Sequence, residues 1–379
     1  MKIKLEYVWL DGYKPEPNLR SKIKVINTKQ SIVQLNINEI PEWGFDGSST
    51  LQAEGYSSDC YLKPVKLYRS HIQNDDNYPL IYVLCEVYDK NNQPHETNNR
   101  FKIGSEDSDF WVGFEQEYFI RSGHNKEVLG FHNGGIIDPQ GTYYCGVGGQ
   151  MWGRQLSDEH LDMCLDYGID IEGTNAEVAL GQWEYQIFAK GKLKSSDDLW
   201  MSRYFLFKLA EKHGLQIELH PKPITKGEWN GSGLHTNFSN KRMRETGGEE
   251  YFNSIFKVFE SRLGAHIENY GSNNHLRLTG KFETQSIDKF TWGIGDRGAS
   301  IRIPKSVGLS WKGYLEDRRP GSNADPYKII NVISESLDLS EELNLTLHAM
   351  YEDVDTRKLS EKYNGILSNE ELLKEYREE

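Results

Sequence analysis

The stretch Phe110-Trp-Val-Gly-Phe-Glu-Gln-Glu-Tyr-Phe-Ile120 constrains the fold more than any other part of this chain. In an extended strand side chains alternate, so Glu115 and Glu117 share one face, roughly 7 Å apart. Their row also carries Trp111 and Phe119, while the opposite row carries Val112, Phe114 and Tyr118, so both faces read as buried. A solvent-facing strand would accept two glutamates freely. A strand covered on both sides would not, because neighbouring buried carboxylates are costly without a cation between them. The segment predicts an interior strand that supplies metal ligands.

A second pair, Glu177 and Glu184, lies in Ala176-Glu-Val-Ala-Leu-Gly-Gln-Trp-Glu-Tyr-Gln-Ile-Phe188 and has opposite parity on one continuous strand. Gly181 resolves the parity as a turn or bulge that lets both carboxylates face one site. The plainer alternative is two unrelated surface glutamates flanking a buried Trp183. Ligands of this oxygen type suit Mg²⁺ or Mn²⁺ rather than zinc. In Asn230-Gly-Ser-Gly-Leu-His-Thr-Asn-Phe-Ser239 two glycines precede a short strand with His235, Asn237 and Ser239 on one face. Alone, such a histidine is more often structural, and Gly-x-Gly is a weak phosphate signal. No Walker-type phosphate loop occurs, so any nucleotide is held another way.

Charge narrows the partners. The 379 residues carry a net charge of −13, which disfavours nucleic acid and anionic membranes. Against that background Arg277, Lys281, Arg297, Arg302, Arg318 and Arg319 form a basic run, read as a clamp for phosphate and carboxylate groups. For Glu316-Asp317-Arg318-Arg319 alone, a surface salt-bridge cluster is the plainer reading. Carboxylates, a divalent metal and converging arginines together describe phosphoryl transfer. Four cysteines at 60, 85, 145 and 164 lack paired spacing and are expected to be reduced, which with the absence of a signal-like start at Met1–Gly12 points to the cytoplasm. Mean hydropathy of −0.68 and no long apolar run argue against a bilayer span.

The chain divides into an N-terminal part of short strands (Lys2–Leu10, Lys22–Asn27, Ile32–Ile37, Leu80–Tyr88), with a turn at Asn74–Asn77, and a mixed remainder. The polar segment Asp89–Asn99 is the linker, giving domains 1–95 and 96–379. Expected helices are one capped by Ser195 or Ser196 and stopped at Gly214, then Leu161–Tyr167, Glu250–Tyr270, Pro326–Leu337 and the tail Glu370–Glu378. Expected strands in this part are Phe110–Ile120, Glu177–Phe188, His235–Ser239 and Ser300–Pro304.

Trp43-Gly-Phe-Asp-Gly-Ser-Ser-Thr50, Gly113-Phe-Glu-Gln-Glu117, Asn175-Ala-Glu-Val178, Asn230-Gly-Ser-Gly-Leu-His235 and Glu316-Asp-Arg-Arg319 resemble, in order, the motifs of the glutamine synthetases, of the shorter eukaryote-like type. The resemblance runs from Tyr7-Val-Trp-Leu-Asp-Gly12 to Asp325-Pro326 and implies an α+β fold: an N-terminal β-grasp domain and a catalytic α/β domain with a curved antiparallel sheet. It implies ATP-dependent amidation of glutamate by ammonium through γ-glutamyl phosphate, with two or more Mg²⁺ or Mn²⁺ ions per site. It also implies ring-shaped homo-oligomers, such as stacked pentamers, in which the N-terminal domain of one subunit completes a neighbour's site.

Carried over by motif, Glu117, Glu177 and Glu184 would hold one metal, and Glu115, His235 and Glu316 the other. Trp111, Asn237, Ser239, Arg297, Arg302 and Tyr314 would hold ATP, while Glu228, Trp229, Arg277, Arg297 and Arg318 would hold glutamate and the acyl phosphate. Glu283 would close over the intermediate, Asp46 would take a proton from ammonium, and Ser49 would help form the ammonium pocket. Two positions depart from the family pattern: Phe282, where histidine is usual, and Asp296, where asparagine is usual. A γ-glutamyl ligase for larger amines or polyamines and a non-catalytic relative are the rival readings; Asp46, Ser49 and Glu283 favour the small cation, and the complete ligand set favours an enzyme.

Overall fold

The computed structural model describes residues 1–72, 78–131 and 137–351. The turn expected at Asn74–Asn77 and the tail helix at Glu370–Glu378 lie outside these residues.

The N-terminal sheet contains β1 (Lys2–Leu10), β2 (Leu19–Asn27), β3 (Trp43–Asp46), β4 (Asp59–Arg69) and β5 (Leu80–Tyr88), in the order β2-β1-β5-β4-β3. β1 runs parallel to β5 and the other pairs are antiparallel. The alternation of β1 explains its two partners. Ile3, Leu5, Tyr7 and Trp9 face a small core with Leu35, Ile40, Leu62 and Val83, whereas Val8 faces the larger C-terminal core with Tyr68, Tyr82 and Phe205. On that second face Glu6 accepts the Tyr204 hydroxyl proton and an Lys208 ammonium at 3.2 Å. The expected strand Ile32–Ile37 is instead turns leading to a 3₁₀ turn at Ile37–Glu39. Asn36 caps that turn through Asn38 N–H, and Glu39 bonds back to Asn36 N–H at 2.7 Å, a local pairing that outcompetes extension.

After a short helix α1 (Asn99–Ile103), the second sheet is built from β6 (Trp111–Ser122), β7 (Ile171–Ala176), β8 (Gln182–Lys190), β9 (Leu215–Glu218), β10 (Leu234–Ser239), β11 (Trp292–Ile294), β12 (Ile301–Ile303) and β13 (Leu315–Asp317). Its order is β11-β12-β13-β10-β6-β8-β7, with β9 pairing beyond β10 on the same edge of β6; only β11 and β12 are parallel. Helices α2 (Arg154–Asp166), α3 (Lys192–Lys212), α4 (Lys241–Glu245), α5 (Glu249–Ser261), α6 (Leu263–Asn269), α7 (Lys305–Ser310) and α8 (Pro326–Tyr351) complete this part. Val112, Phe114, Gln116 and Tyr118 of β6 point into the helix layer, where Gln116 accepts Arg203 Nε–H from α3 at 2.7 Å. The opposite row of β6 is thereby turned to the open side of the sheet.

Several expected boundaries move: α2 starts at Arg154, well before Leu161, and α8 continues past Leu337 to Tyr351. The α3 helix starts at Lys192, ahead of Ser195 and Ser196, whose hydroxyls bond back to Lys192 O. Its cap comes from a distance: Glu106 accepts Leu193 and Lys194 N–H at 3.0 and 2.8 Å, and a Cβ at Gly191 would lie 2.6 Å from that carboxylate. The Glu250–Tyr270 helix is broken at Arg262 into α5 and α6. Strand Glu177–Phe188 begins only at Gln182, because Glu177–Gly181 forms a turn with Gly181 at φ +74°. No described helix is long and apolar enough to cross a membrane.

Candidate active site

Two cavities open on the face of the second sheet away from the helices, and they share Glu115, Gln186 and Arg302. The first, about 420 Å³, is lined by Glu115, Glu117, Glu177, Glu184, His235 and Glu316, all six expected metal ligands, and by Arg277, Arg297, Arg302, Arg318 and Glu283. The register explains the convergence. Glu117 pairs with Glu184 across β6 and β8, Glu115 with His235 across β6 and β10, and Asn237 with Glu316 across β10 and β13. The turn at Gly181 brings in Glu177.

Amide side chains reach several of these carboxylates, Gln182 bonding Glu117, Asn175 bonding Glu177 and Gln186 bonding Glu184. Glu117 accepts Gly233 N–H at 2.6 Å, Glu177 accepts Val178 N–H at 3.0 Å, and Glu115 accepts Asn237 Nδ2–H at 2.8 Å. A Cβ at Gly233 would lie 2.4 Å from Arg277 Nη2, so a larger residue here would displace that guanidinium. Burial, with the neighbouring carboxylates, pushes Glu117, Glu177 and Glu184 upward. Ligand atoms of Glu115, Glu184 and His235 lie within 4.8 Å of one another. Hard oxygen donors, one imidazole and mutual repulsion that Arg277 and Arg318 offset only in part fit a divalent cation. This trio draws on both expected ligand sets, so distance alone does not divide the six residues into two ions.

Cations close the other side. Arg302 and Arg318 both pair with Glu316, and Arg302 Nε is buried without a partner, a donor left over for a ligand. Arg277 donates to Arg318 O at 2.9 Å and to His235 Nε2 at 3.0 Å. Because guanidinium only donates, this neutral imidazole accepts at Nε2 and turns its Nδ1 proton to Glu115 at 3.2 Å. Burial, then Arg318 and Arg277, hold His235 well below its usual range. The Glu316–Arg319 run is not a surface cluster. Its alternation sends Glu316 and Arg318 into the cavity and Asp317 and Arg319 into the core, where Arg319 meets Asp317 and His266. Of the basic run, Lys281 and Arg319 do not line the cavity.

The second cavity, about 380 Å³, is lined by Trp111, Asn237, Ser239, Arg302 and Tyr314, five of the six expected ATP contacts; Arg297 lies in the first. Sequence reasoning missed Arg244, whose guanidinium lies 3.9 Å from the Trp111 ring centroid and donates to Ser239 Oγ at 3.0 Å. It also missed Gln186, Tyr144 and Asn230. For Gln186 the signal existed, since it shares the parity of Glu184 on β8. Glu228 is exposed, and Trp229 meets Phe131 edge-on and packs against the cluster of Phe119, Val128 and Ala179 instead of lining either cavity. Asp46 ends β3 and Ser49 lies in the 3₁₀ turn Gly47–Thr50 that follows, and neither lines a cavity of its own chain. The Ser48 and Ser49 hydroxyls, bonded to Asp46 at 2.6 and 2.7 Å, hold its carboxyl below the usual range. Asp296 accepts Gly298 N–H at 2.8 Å, a turn contact that an asparagine oxygen would also make.

A pocket with clustered carboxylates on one wall and guanidinium groups on the other, opening into an aromatic-edged cavity, defines a metal-assisted phosphoryl-transfer enzyme. Residues 2–90 match the glutamine synthetase β-grasp domain and residues 99–255 the glutamine synthetase catalytic domain. The chain belongs to the glutamine synthetase family. A glutamine synthetase of Bradyrhizobium diazoefficiens is 49% identical over 341 residues, 89% of this chain and 96% of that one. One from Saccharomyces cerevisiae is 44% identical over 338 residues, 88% of each chain. A solved Plasmodium falciparum glutamine synthetase shares the fold at TM-score 0.68 and 16% identity, covering 89% of this chain and 72% of its own.

Proposed function

We propose that this chain amidates L-glutamate with ammonia at the expense of ATP, through γ-glutamyl phosphate, in the cavity between the acidic cluster and the four arginines. The observation that carries this reading is the junction of the two cavities at Glu115 and Arg302, which leads from the Trp111 cavity to the carboxylates. ATP lies along that path, with Trp111, Asn237, Ser239 and Tyr314 around its nucleoside and Arg302 and Arg297 at its phosphates.

Glu117, Glu177 and Glu184, and Glu115, His235 and Glu316, would hold two or more Mg²⁺ or Mn²⁺ ions, whose positive charge would offset that of the terminal phosphate. For His235 to offer Nδ1, its proton must move to Nε2. Arg277 must then turn from the ring toward the substrate carboxylate. A γ-carboxylate oxygen of glutamate attacks the terminal phosphorus and the bond to ADP breaks, with Arg297 and Arg318 neutralising the transferred group. Glu283 closes the site against water, and ammonia then attacks the acyl carbon and expels phosphate.

Asp46 and Ser49 serve the neighbouring subunit's cavity in a ring, read as stacked pentamers, and Asp46 takes the ammonium proton. Glu228 and Trp229 reach glutamate only if their loop moves on binding. The enzyme works in the cytoplasm, with a domain boundary near residue 95. Glutamate labelled with ¹⁸O in its γ-carboxylate tests the intermediate. Phosphate carrying one label is expected, and unlabelled phosphate would overturn it.

A further inference from the structure

The loop between β1 and β2 reaches across to the segment that leads into Arg277, a residue lining the chain's own cavity. Glu16 at its tip accepts Ser272 N–H at 2.6 Å and Ser272 Oγ–H at 2.7 Å, a bidentate grip by a charged acceptor across two domains. The loop is rigid enough to transmit it. Asp11, buried at its base, accepts Tyr13 and Asn18 N–H at 3.1 and 2.8 Å and pairs with Arg20, while Gly12 N–H donates to Thr50 O at 2.8 Å.

Ser272 lies in a segment that needs holding. Gly271 and Asn273 on either side have φ +92° and +56°, and the second is strained for a residue with a Cβ. Asn323 grips Ser272 from the opposite side, donating to its O and Oγ at 3.2 Å. From Asn273 the chain enters a 3₁₀ turn, Asn274–Leu276, with Asn274 donating to Arg319 O at 2.7 Å and accepting Arg277 N–H at 3.0 Å. Arg277 follows directly, its guanidinium spanning Arg318 O and His235.

We infer that Glu16 is a positioning residue for substrate glutamate, acting through Ser272 and the 3₁₀ turn to fix the backbone from which the Arg277 guanidinium reaches the substrate carboxylate. The inference rests on the assignment of Arg277 to the substrate carboxylate. It differs from the role given to the Asp46 loop, because Glu16 serves its own chain's cavity.

The test is steady-state kinetics of the assembled enzyme with glutamate and ATP varied separately, together with thermal unfolding. Glu16→Ala is expected to raise the KM for glutamate about 3- to 10-fold, with the KM for ATP changed less than about twofold and little change in unfolding midpoint. Glu16→Gln restores most of the loss, since its amide oxygen can accept Ser272 N–H while its NH₂ donates to the hydroxyl. Ser272→Ala, which keeps the N–H, has a smaller effect in the same direction, and combining it with Glu16→Ala adds nothing further. An unchanged KM for glutamate, or parallel rises in both KM values with a lower midpoint, would overturn the inference, as would additivity in the double variant. Arg277→Gln is the control. If it leaves the KM for glutamate unchanged, the Arg277 assignment fails, and a normal control with a silent Glu16→Ala fails the inference alone.

Discussion

The Lys222 ammonium lies 4.6 Å from the centroid of the Phe282 ring and also donates to Trp229 O. Burial lowers its pKa, against the pull of the ring, which favours the charged form. Phe282 and Glu283 are both left-handed, at φ +56° and +58°, which costs about 1–2 kcal/mol at each residue. Thr284 helps hold them there, its hydroxyl bonding toward Arg277 O and Lys281 O at 3.1 and 2.8 Å. The ring thus gives the segment before Glu283 a cation–π anchor, and the proposed closure over the intermediate would rest on it.

This anchor predicts the behaviour of Phe282 variants. Phe282→Ala frees the lid, so the acyl phosphate meets water before ammonia and phosphate release exceeds glutamine formation. Phe282→His is tolerated and shifts the KM for glutamate more than that for ATP. Lys222→Met should show a weaker form of the Ala defect. Both products are quantified in one reaction; one phosphate per glutamine in Phe282→Ala would remove the ring from the water seal.

Glu117→Ala, Glu177→Ala and Glu184→Ala should each abolish metal-dependent turnover while the metal-free protein unfolds no earlier than the parent. Removing one of several mutually repelling buried carboxylates relieves the apo cluster but spoils coordination. Thermal unfolding in chelator and in Mg²⁺, paired with activity, checks this. Full activity with Mg²⁺ in any of the three contradicts the ligand assignment.

Asp46→Ala should spare acyl-phosphate formation and slow amide formation by roughly 10²–10⁴. Hydroxylamine, already neutral, should suffer less than ammonium. Since Asp46 lines neither of its own chain's cavities, mixing Asp46→Ala subunits with Arg318→Ala subunits should restore activity that neither has alone. Equal losses with both nucleophiles would exclude proton transfer, and failure of mixed rings would exclude action across the interface.

Acid stability should depend on His160, which donates Nε2–H to Ser202 O at 2.9 Å inside the helix layer. Burial lowers it to about 4, below its unfolded value. The neutral ring therefore contributes stability in full above pH ~6.5, and that contribution is lost as pH falls toward 4, by at most roughly 3 kcal/mol. Unfolding midpoints across this range should fall less steeply for His160→Gln than for the parent. Identical slopes would contradict the assignment.

The metal-ligand candidates are legible because strand parity is a strong signal wherever both faces are apolar, as at Glu115 and Glu117. Gly181 is readable because a turn or bulge there is the simplest way to bring Glu177 and Glu184 to one site. The capped turn at Asn36–Glu39 reads as a strand because its apolar residues alternate and the side-chain caps leave no periodic trace. β13 is three residues long and wholly buried, so the inward and outward alternation of Glu316–Arg319 shows only once β10 and β12 flank it. The cap of α3 comes from Glu106, and the grip on Ser272 from Glu16, at sequence separations that no local pattern records.

The central claim is that this cavity couples ATP cleavage to amide formation on glutamate. Its most direct test is a steady-state assay of the purified chain with ATP, glutamate, ammonium and Mg²⁺, counting phosphate and glutamine together. One glutamine per phosphate, with both lost on omitting ammonium or metal, is the result predicted. Phosphate without glutamine, or product only when a larger amine or polyamine replaces ammonium, would contradict it.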